Sequence, residues 1–286
     1  MATFSLPKEP HLQTTRVRFT NILVAVDLSA SSANTLKIAA DFAYQQGARL
    51  VIAHVIDRAA RLPSETPAEI QSKISLWMKP YLRHDARVAI AVTEGDAVQE
   101  ISTLVKQHCT ELLILGTHAA TNVERLILGS KAEALFRSVS IPVLTIGPCV
   151  RNGGAGISSI LLPTNLEPGS LRAAQYAVSL AEEWNATLTL LHVRDKAEGA
   201  EPYRSARVKM QQLVPEDAAL WCKPVFRTES GELAETIVSV AQQTRADLIV
   251  LAVSHARLLA DHAHWSVVSK TVRWAECPVL TIRDHL

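Results

Sequence analysis

Three segments of this 286-residue chain combine residue types that could hold a ligand. The first is Ala25-Val26-Asp27, which closes an apolar run begun at Ile22. A carboxylate there can accept hydrogen bonds from an amino or hydroxyl group of a ligand, or serve as a turn or capping residue. The second is His54-Val55, at the end of the run from Leu50. The backbone of Val55 could read the edge of a base. His54 reads as a strand-end histidine of structural use rather than a catalytic group. The third is Gly116-Thr117-His118-Ala119, followed after nine intervening residues by Gly129-Ser130-Lys131. Glycine lets backbone approach a phosphate closely. Gly129-Ser130 would open a helix, whose free N–H groups and positive dipole end favour an anion. Ser130 adds a hydroxyl, and His118 and Lys131 would lie near the same point.

The elements that must position these segments are legible. Ile22–Val26 is a short apolar run of the kind found in strands buried on both faces. Ser29–Ser32 offers N-caps for a helix with Leu36, Ala39, Ala40 and Ala43 on one side, and Gly47 sits where a left-handed C′ residue is wanted. A strand over 49–55, a helix over 67–83 and a strand over 88–93 follow. Asp96 caps a helix to His108, and a strand over 112–115 leads into the glycine loop. A helix over 130–138 and a strand over 143–146 complete the alternation. Such a pattern means a parallel sheet with helices on both faces, and ligands bind beyond the carboxyl ends of its strands where strand order reverses.

The chain then repeats itself. Pro142-Val143-Leu144-Thr145-Ile146 recurs letter for letter as Pro278-Val279-Leu280-Thr281-Ile282, an offset of 136. Glu111–Gly116 answers to Asp247–Ala252 at the same offset, while Leu50–Val55 answers to Leu188–Val193 and Ile22–Val24 to Ile160–Leu162 at 138. Gly47 becomes Asn185, the next best residue for a left-handed cap. The organisation expected is a tail over 1–19, a first domain over 20–148, a linker over 149–156 within the glycine-rich stretch that starts at Gly147, and a second domain over 157–286. The fold class expected is α/β, two tandem open five-stranded parallel sheets with helices on both faces.

Ile22-Leu-Val-Ala-Val-Asp27-x-Ser29, Gly116-Thr117-His118 through Gly129-Ser130, and Ile141-Pro142-Val143-Leu144 together resemble the universal stress protein family. The resemblance covers nearly the whole chain as two tandem copies. It implies a five-stranded parallel sheet, pairing through the last strand and, for one subgroup, ATP binding with the motif Gly-x2-Gly-x9-Gly-Ser/Thr. By that resemblance Ala25, Val26 and Asp27 would meet the adenosine moiety, Asp27 as acceptor, and the Val55 backbone the adenine. Gly116, His118, Ala119, Gly129, Ser130 and Lys131 would surround the ribose and phosphates of ATP, with or without Mg²⁺. The second motif glycine is Ala119 here. In the second copy Asp27 becomes Asn165, Gly116 becomes Ala252, Ala119 becomes His255 and Gly129 becomes Trp265. No nucleotide is expected there, because a large ring would stand where phosphates should lie.

Composition narrows the alternatives. The chain is 48% hydrophobic and 20% charged with formal net charge +1. A packed core follows, and binding of nucleic acid by bulk charge does not. No apolar stretch is long enough to span a membrane, and the N-terminal residues lack a secretory core, so a cytoplasmic protein is expected. Four scattered cysteines, none in a C-x-x-C pair, read as reduced and structural. His255, Asp261, His262 and His264 read as a solvated loop, and no metal site is expected. No Gly-x4-Gly-Lys-Ser/Thr loop or Gly-x-Ser-x-Gly elbow is present, so at most weak ATP hydrolysis is expected and no catalytic residue is assigned. Three readings remain: a stress-response binding protein sensing adenine nucleotide through its first domain, with the second as pseudo-dimer partner; an interaction scaffold of the same fold for protein partners; and a slow ATPase. Pairing with a second chain stays open.

Overall fold

The structure, a computed structural model, describes residues 16–56, 66–117, 130–150, 156–194, 202–254 and 262–284. The first half runs β1 (Asn21–Ala25), α1 (Ala30–Gln46), β2 (Arg49–Ile56), α2 (Pro67–Met78), β3 (Val88–Glu94), α3 (Ala97–Gln107), β4 (Leu112–Gly116), α4 (Ser130–Ser138), β5 (Val143–Ile146). The second repeats it as β6 (Ser159–Pro163), α5 (Ser170–Trp184), β7 (Thr187–Arg194), α6 (Pro202–Gln212), β8 (Val225–Ser230), α7 (Leu233–Gln243), β9 (Leu248–Ser254), α8 (His262–Trp274), β10 (Val279–Asp284). The caps read from sequence are in place. Ser29 accepts from the Ser32 N–H, Asp96 from the Val98 and Gln99 N–H groups, and Gly47 and Asn185 close α1 and α5 at φ 60° and 50°. The helix expected over 67–83 stops at Met78 and passes into a 3₁₀ turn, Lys79–Tyr81, because Pro80 cannot continue the α-helical ladder.

All ten strands form one sheet, in the order β3-β2-β1-β4-β5-β10-β9-β6-β7-β8. Pairing is parallel within each half and antiparallel only between β5 and β10. The repeated pentapeptide makes this seam. Leu144 faces its own counterpart Leu280, with Val143 opposite Thr281 and Thr145 opposite Val279. Thr281 Oγ1 donates to the Val143 carbonyl at 2.9 Å. The contact is self-complementary, as in a two-fold dimer, and it covers an edge that each half alone would leave unpaired.

Strand side chains alternate between two cores. One lies beneath α1, α2, α5 and α6, the other beneath α3, α4, α7 and α8, and each continues from one half into the other. Stretches read as tail and linker are packed where they are described. Phe19 is 1% exposed, stacked on Tyr176 of α5 with ring centroids 5.8 Å apart and set 6.0 Å from Phe42 of α1. The Val17 N–H donates to Ser179 Oγ and the Phe19 N–H to Gln46 Oε1, both at 3.1 Å. Val150 is buried, and its carbonyl accepts from Asn34 Nδ2 at 3.2 Å. Apolar side chains at 19 and 150, set among polar or glycine-rich neighbours, account for the ordering.

Candidate functional site

In the first half strand order reverses between β1 and β4, and beyond the carboxyl ends at such a point is where sheets of this kind bind ligands. Ala25 ends β1 opposite Leu115, and Gly116 ends β4. The Val26 N–H extends the sheet one step further, donating to the Ala53 carbonyl at 2.9 Å. Asp27 is exposed just beyond. By strand alternation Val55 turns its N–H and C=O to the same side as Ala53, past the end of β1. Thus Ala25, Val26, Asp27, Val55 and Gly116 converge as read from the sequence.

Their local roles are more demanding than that reading allowed. Asp27 Oδ1 accepts from the Ser29 N–H at 3.0 Å and from Ser32 Oγ, while the Asp27 N–H donates to Ser32 Oγ at 3.1 Å. These bonds hold Leu28 at φ 62°, a left-handed conformation unusual for leucine. Asn165 does the same in the second half. Its Oδ1 accepts from the Glu167 N–H at 3.1 Å and from Ser170 Oγ at 2.6 Å, and Leu166 also stands at φ 62°. The turn is therefore a property of both copies; the first carries its acid at Asp27, whereas in the second Asn165 is neutral and its Nδ2 donates to the carboxylate of Glu167 at 2.8 Å. His54 Nδ1 lies 2.9 Å from the Val26 carbonyl, and His192 Nδ1 lies 3.0 Å from that of Thr164. A carbonyl only accepts, so each Nδ1 carries the proton and the ring pins the strand end. The structural reading of His54 holds.

Gly116 also has a packing duty. A Cβ on it would come 2.3 Å from Thr35 Oγ1, a buried side chain of α1. Its counterpart is Ala252, and that of Thr35 is Ala173. A glycine–threonine pair in one copy is thus an alanine–alanine pair in the other: the glycine position gains a methyl, and the threonine position loses its hydroxyl and its methyl. Sequence reasoning took this glycine for phosphate approach alone and missed the volume exchange, which a side-by-side reading of both positions in the two copies makes visible. Thr117 is tied to the end of β5, its N–H donating to the Ile146 carbonyl at 2.9 Å.

Ser130 opens α4, and Lys131 is exposed in its first turn. His118, Ala119 and Gly129 lie outside the described residues, as do His255 and Asp261. Trp265 falls inside the first turn of α8, rather than at its opening. The chemistry of the described groups fits an adenine nucleotide in outline: an exposed carboxylate for a hydroxyl or amino group, a backbone edge turned past the end of β1 for a base, and a helix N-terminus with a lysine for phosphate. Among the described residues no group of three or more His, Cys, Asp or Glu could hold a metal ion. No helix there is long and apolar enough to cross a membrane.

Comparison with known proteins agrees with this architecture. The model of the universal stress protein family matches twice, over residues 18–147 and 156–283, so the chain belongs to that family and carries two copies of its domain. A curated relative, universal stress protein MJ0531 of Methanocaldococcus jannaschii, is 28% identical over 165 residues, 53% of this chain and 96% of its own length. The Na(+)/H(+) antiporter NhaS5 of Synechocystis sp. is 25% identical over 194 residues, 67% of this chain and only 27% of the antiporter. Among solved structures, a universal stress protein from Archaeoglobus fulgidus is similar with a TM-score of 0.67 at 17% identity, covering 92% of this chain and 96% of that one.

Proposed function

We propose that the first half is an adenine-nucleotide-binding module, and that the second half is its built-in partner. The observation that carries this reading is the exposed carboxylate of Asp27, held at the strand-order reversal beside the outward-facing Val55 backbone. The repeat supports the division of labour. The second half keeps the turn but replaces the acid by Asn165, and at the position matching Gly129 it carries Trp265, inside the first turn of α8. ATP bound in the first half would place its base against Val55, its ribose near Asp27 and its phosphates at the start of α4. Ser130 and Lys131 would supply a hydroxyl and a cation there.

A second reading, an interaction scaffold without nucleotide, is favoured by one observation. Asp27 and Gly116 both have structural duties that would retain them in a protein that binds nothing there. Thermal unfolding of the full chain with and without ATP and Mg²⁺ separates the two. At one hundred times the dissociation constant, binding adds about 2.7 kcal/mol, a rise of roughly 5–10 °C for domains of this size. A midpoint unmoved by millimolar ATP would leave the scaffold reading in possession.

A further inference from the structure

The seam between the halves is symmetric in backbone but not in side chains. Position 147 in the first half corresponds to 283 in the second, and 136 corresponds to 272. Gly147 lies so close to α8 that a Cβ would stand 2.0 Å from the Val272 carbonyl. At the mirrored place the chain has Arg283, only 7% exposed. Its Nη2 donates to the carbonyl of Phe136, and its guanidinium lies over the Phe136 ring, 5.4 Å from the centroid. Its own carbonyl accepts from Arg172 Nη1 of α5 at 3.1 Å.

Phe136 is in the last turn of α4, where the backbone ladder of the helix runs out. A cation there meets the negative end of the helix dipole. Burial and the neighbouring Arg137 guanidinium lower the Arg283 pKa, yet a guanidinium keeps its proton in proteins. A buried charge of this kind persists only where its bonds are specific.

We propose that Arg283 is a positioning residue by which the second half holds α4 from its C-terminal end, and so sets the phosphate-facing N-terminus of that helix in the first half. The proposal rests on the nucleotide reading given above and adds a direction to it. In this contact a side chain of the second half holds a helix of the first, and at the mirrored place no matching side chain runs the other way, because Gly147 has none.

The test uses the full chain as wild type, Arg283→Met, Arg283→Lys and Arg172→Met. ATP affinity is measured by titration calorimetry, well below every melting midpoint, and amide hydrogen exchange is followed in α4 and α8. Arg283→Met is expected to weaken ATP about fivefold or more and to speed exchange in α4 while α8 is unchanged. Arg283→Lys, which keeps a charge but loses the planar fork, is expected to fall between. Arg172→Met leaves the Arg283 guanidinium in place and is expected to bind as wild type. Unchanged affinity and unchanged α4 exchange in Arg283→Met would overturn the proposal, and so would an equal loss in Arg172→Met. Should Arg283→Met not fold, Arg283→Lys decides by the same two measurements. A wild-type chain that binds no ATP overturns the nucleotide reading, and the exchange comparison alone then decides whether Arg283 holds α4.

Discussion

Replacing Asp27 separates its two roles. Asp27→Ala removes the acceptor of the Ser29 N–H and Ser32 hydroxyl bonds and leaves Leu28 at φ 62° without support. Two lost hydrogen bonds, discounted for the exposure of the carboxylate, together amount to about 1–3 kcal/mol. That lowers the melting midpoint by roughly 2–10 °C. Asp27→Asn keeps the oxygen, and Asn165 supports the same turn from the two equivalent positions, so its stability loss should be at most about half that of Asp27→Ala. Its charge is gone, and a neutral acceptor makes bonds about half as strong. The expected cost to ATP binding is about 1 kcal/mol, or roughly fivefold in Kd. Circular dichroism gives the midpoints, and calorimetric titration of both variants gives the affinities. Wild-type affinity in Asp27→Asn would refute the idea that the charge serves a ligand. A stability loss in Asp27→Asn as large as in Asp27→Ala would refute the equivalence of the two turns.

Two further outcomes are expected. Gly116→Ala should destabilise by about 1–3 kcal/mol through overpacking on Thr35, and Thr35→Ala in the same chain should recover most of it, recreating the second-half pair; chemical denaturation of both variants checks this. Cys109 and Cys149 are exposed, whereas burial pushes the Cys222 thiol up to about 11 and the Cys277 thiol up to about 12. Maleimide at neutral pH should therefore label two thiols in the native chain and four after unfolding. Because these raised values belong to the folded state, the unfolded thiols ionise first. The stability they hold is complete below about pH 9 and is lost as pH rises through 11 and 12, which a pH series of melting midpoints measures.

The order of elements and most of their ends were legible because local signals agreed with one another. Apolar runs marked the strands, Ser29 and Asp96 marked helix starts, and Gly47 and Asn185 marked the same helix end in both copies. The identical pentapeptides pointed to the seam, since a segment facing its own copy is self-complementary. Non-local packing was not legible. Nothing near Phe19 announces that it will lodge between α1 and α5, and Val150 looks like part of a glycine-rich linker. The site was legible as residue types at strand ends. A turn role for Asp27 was legible as one of two readings, though its partner Ser32 was not; the close approach of Gly116 to Thr35, eighty-one residues apart across a helix–strand contact, escaped. Arg283 escaped for the same reason: only the fold brings it to Phe136.

The seam also has a consequence in time. Val143 finds its partner Thr281 138 residues further along the chain. At a synthesis rate of about 5–20 residues per second, the bare side of β5 waits on the order of ten seconds for β10 to emerge. During that interval the first half is a nascent half-sheet with one adhesive border. The repeated Val-Leu-Thr-Ile backbone is self-complementary, but only β10 brings Arg283 to the Phe136 carbonyl, so the seam is complete only once the second half has been made.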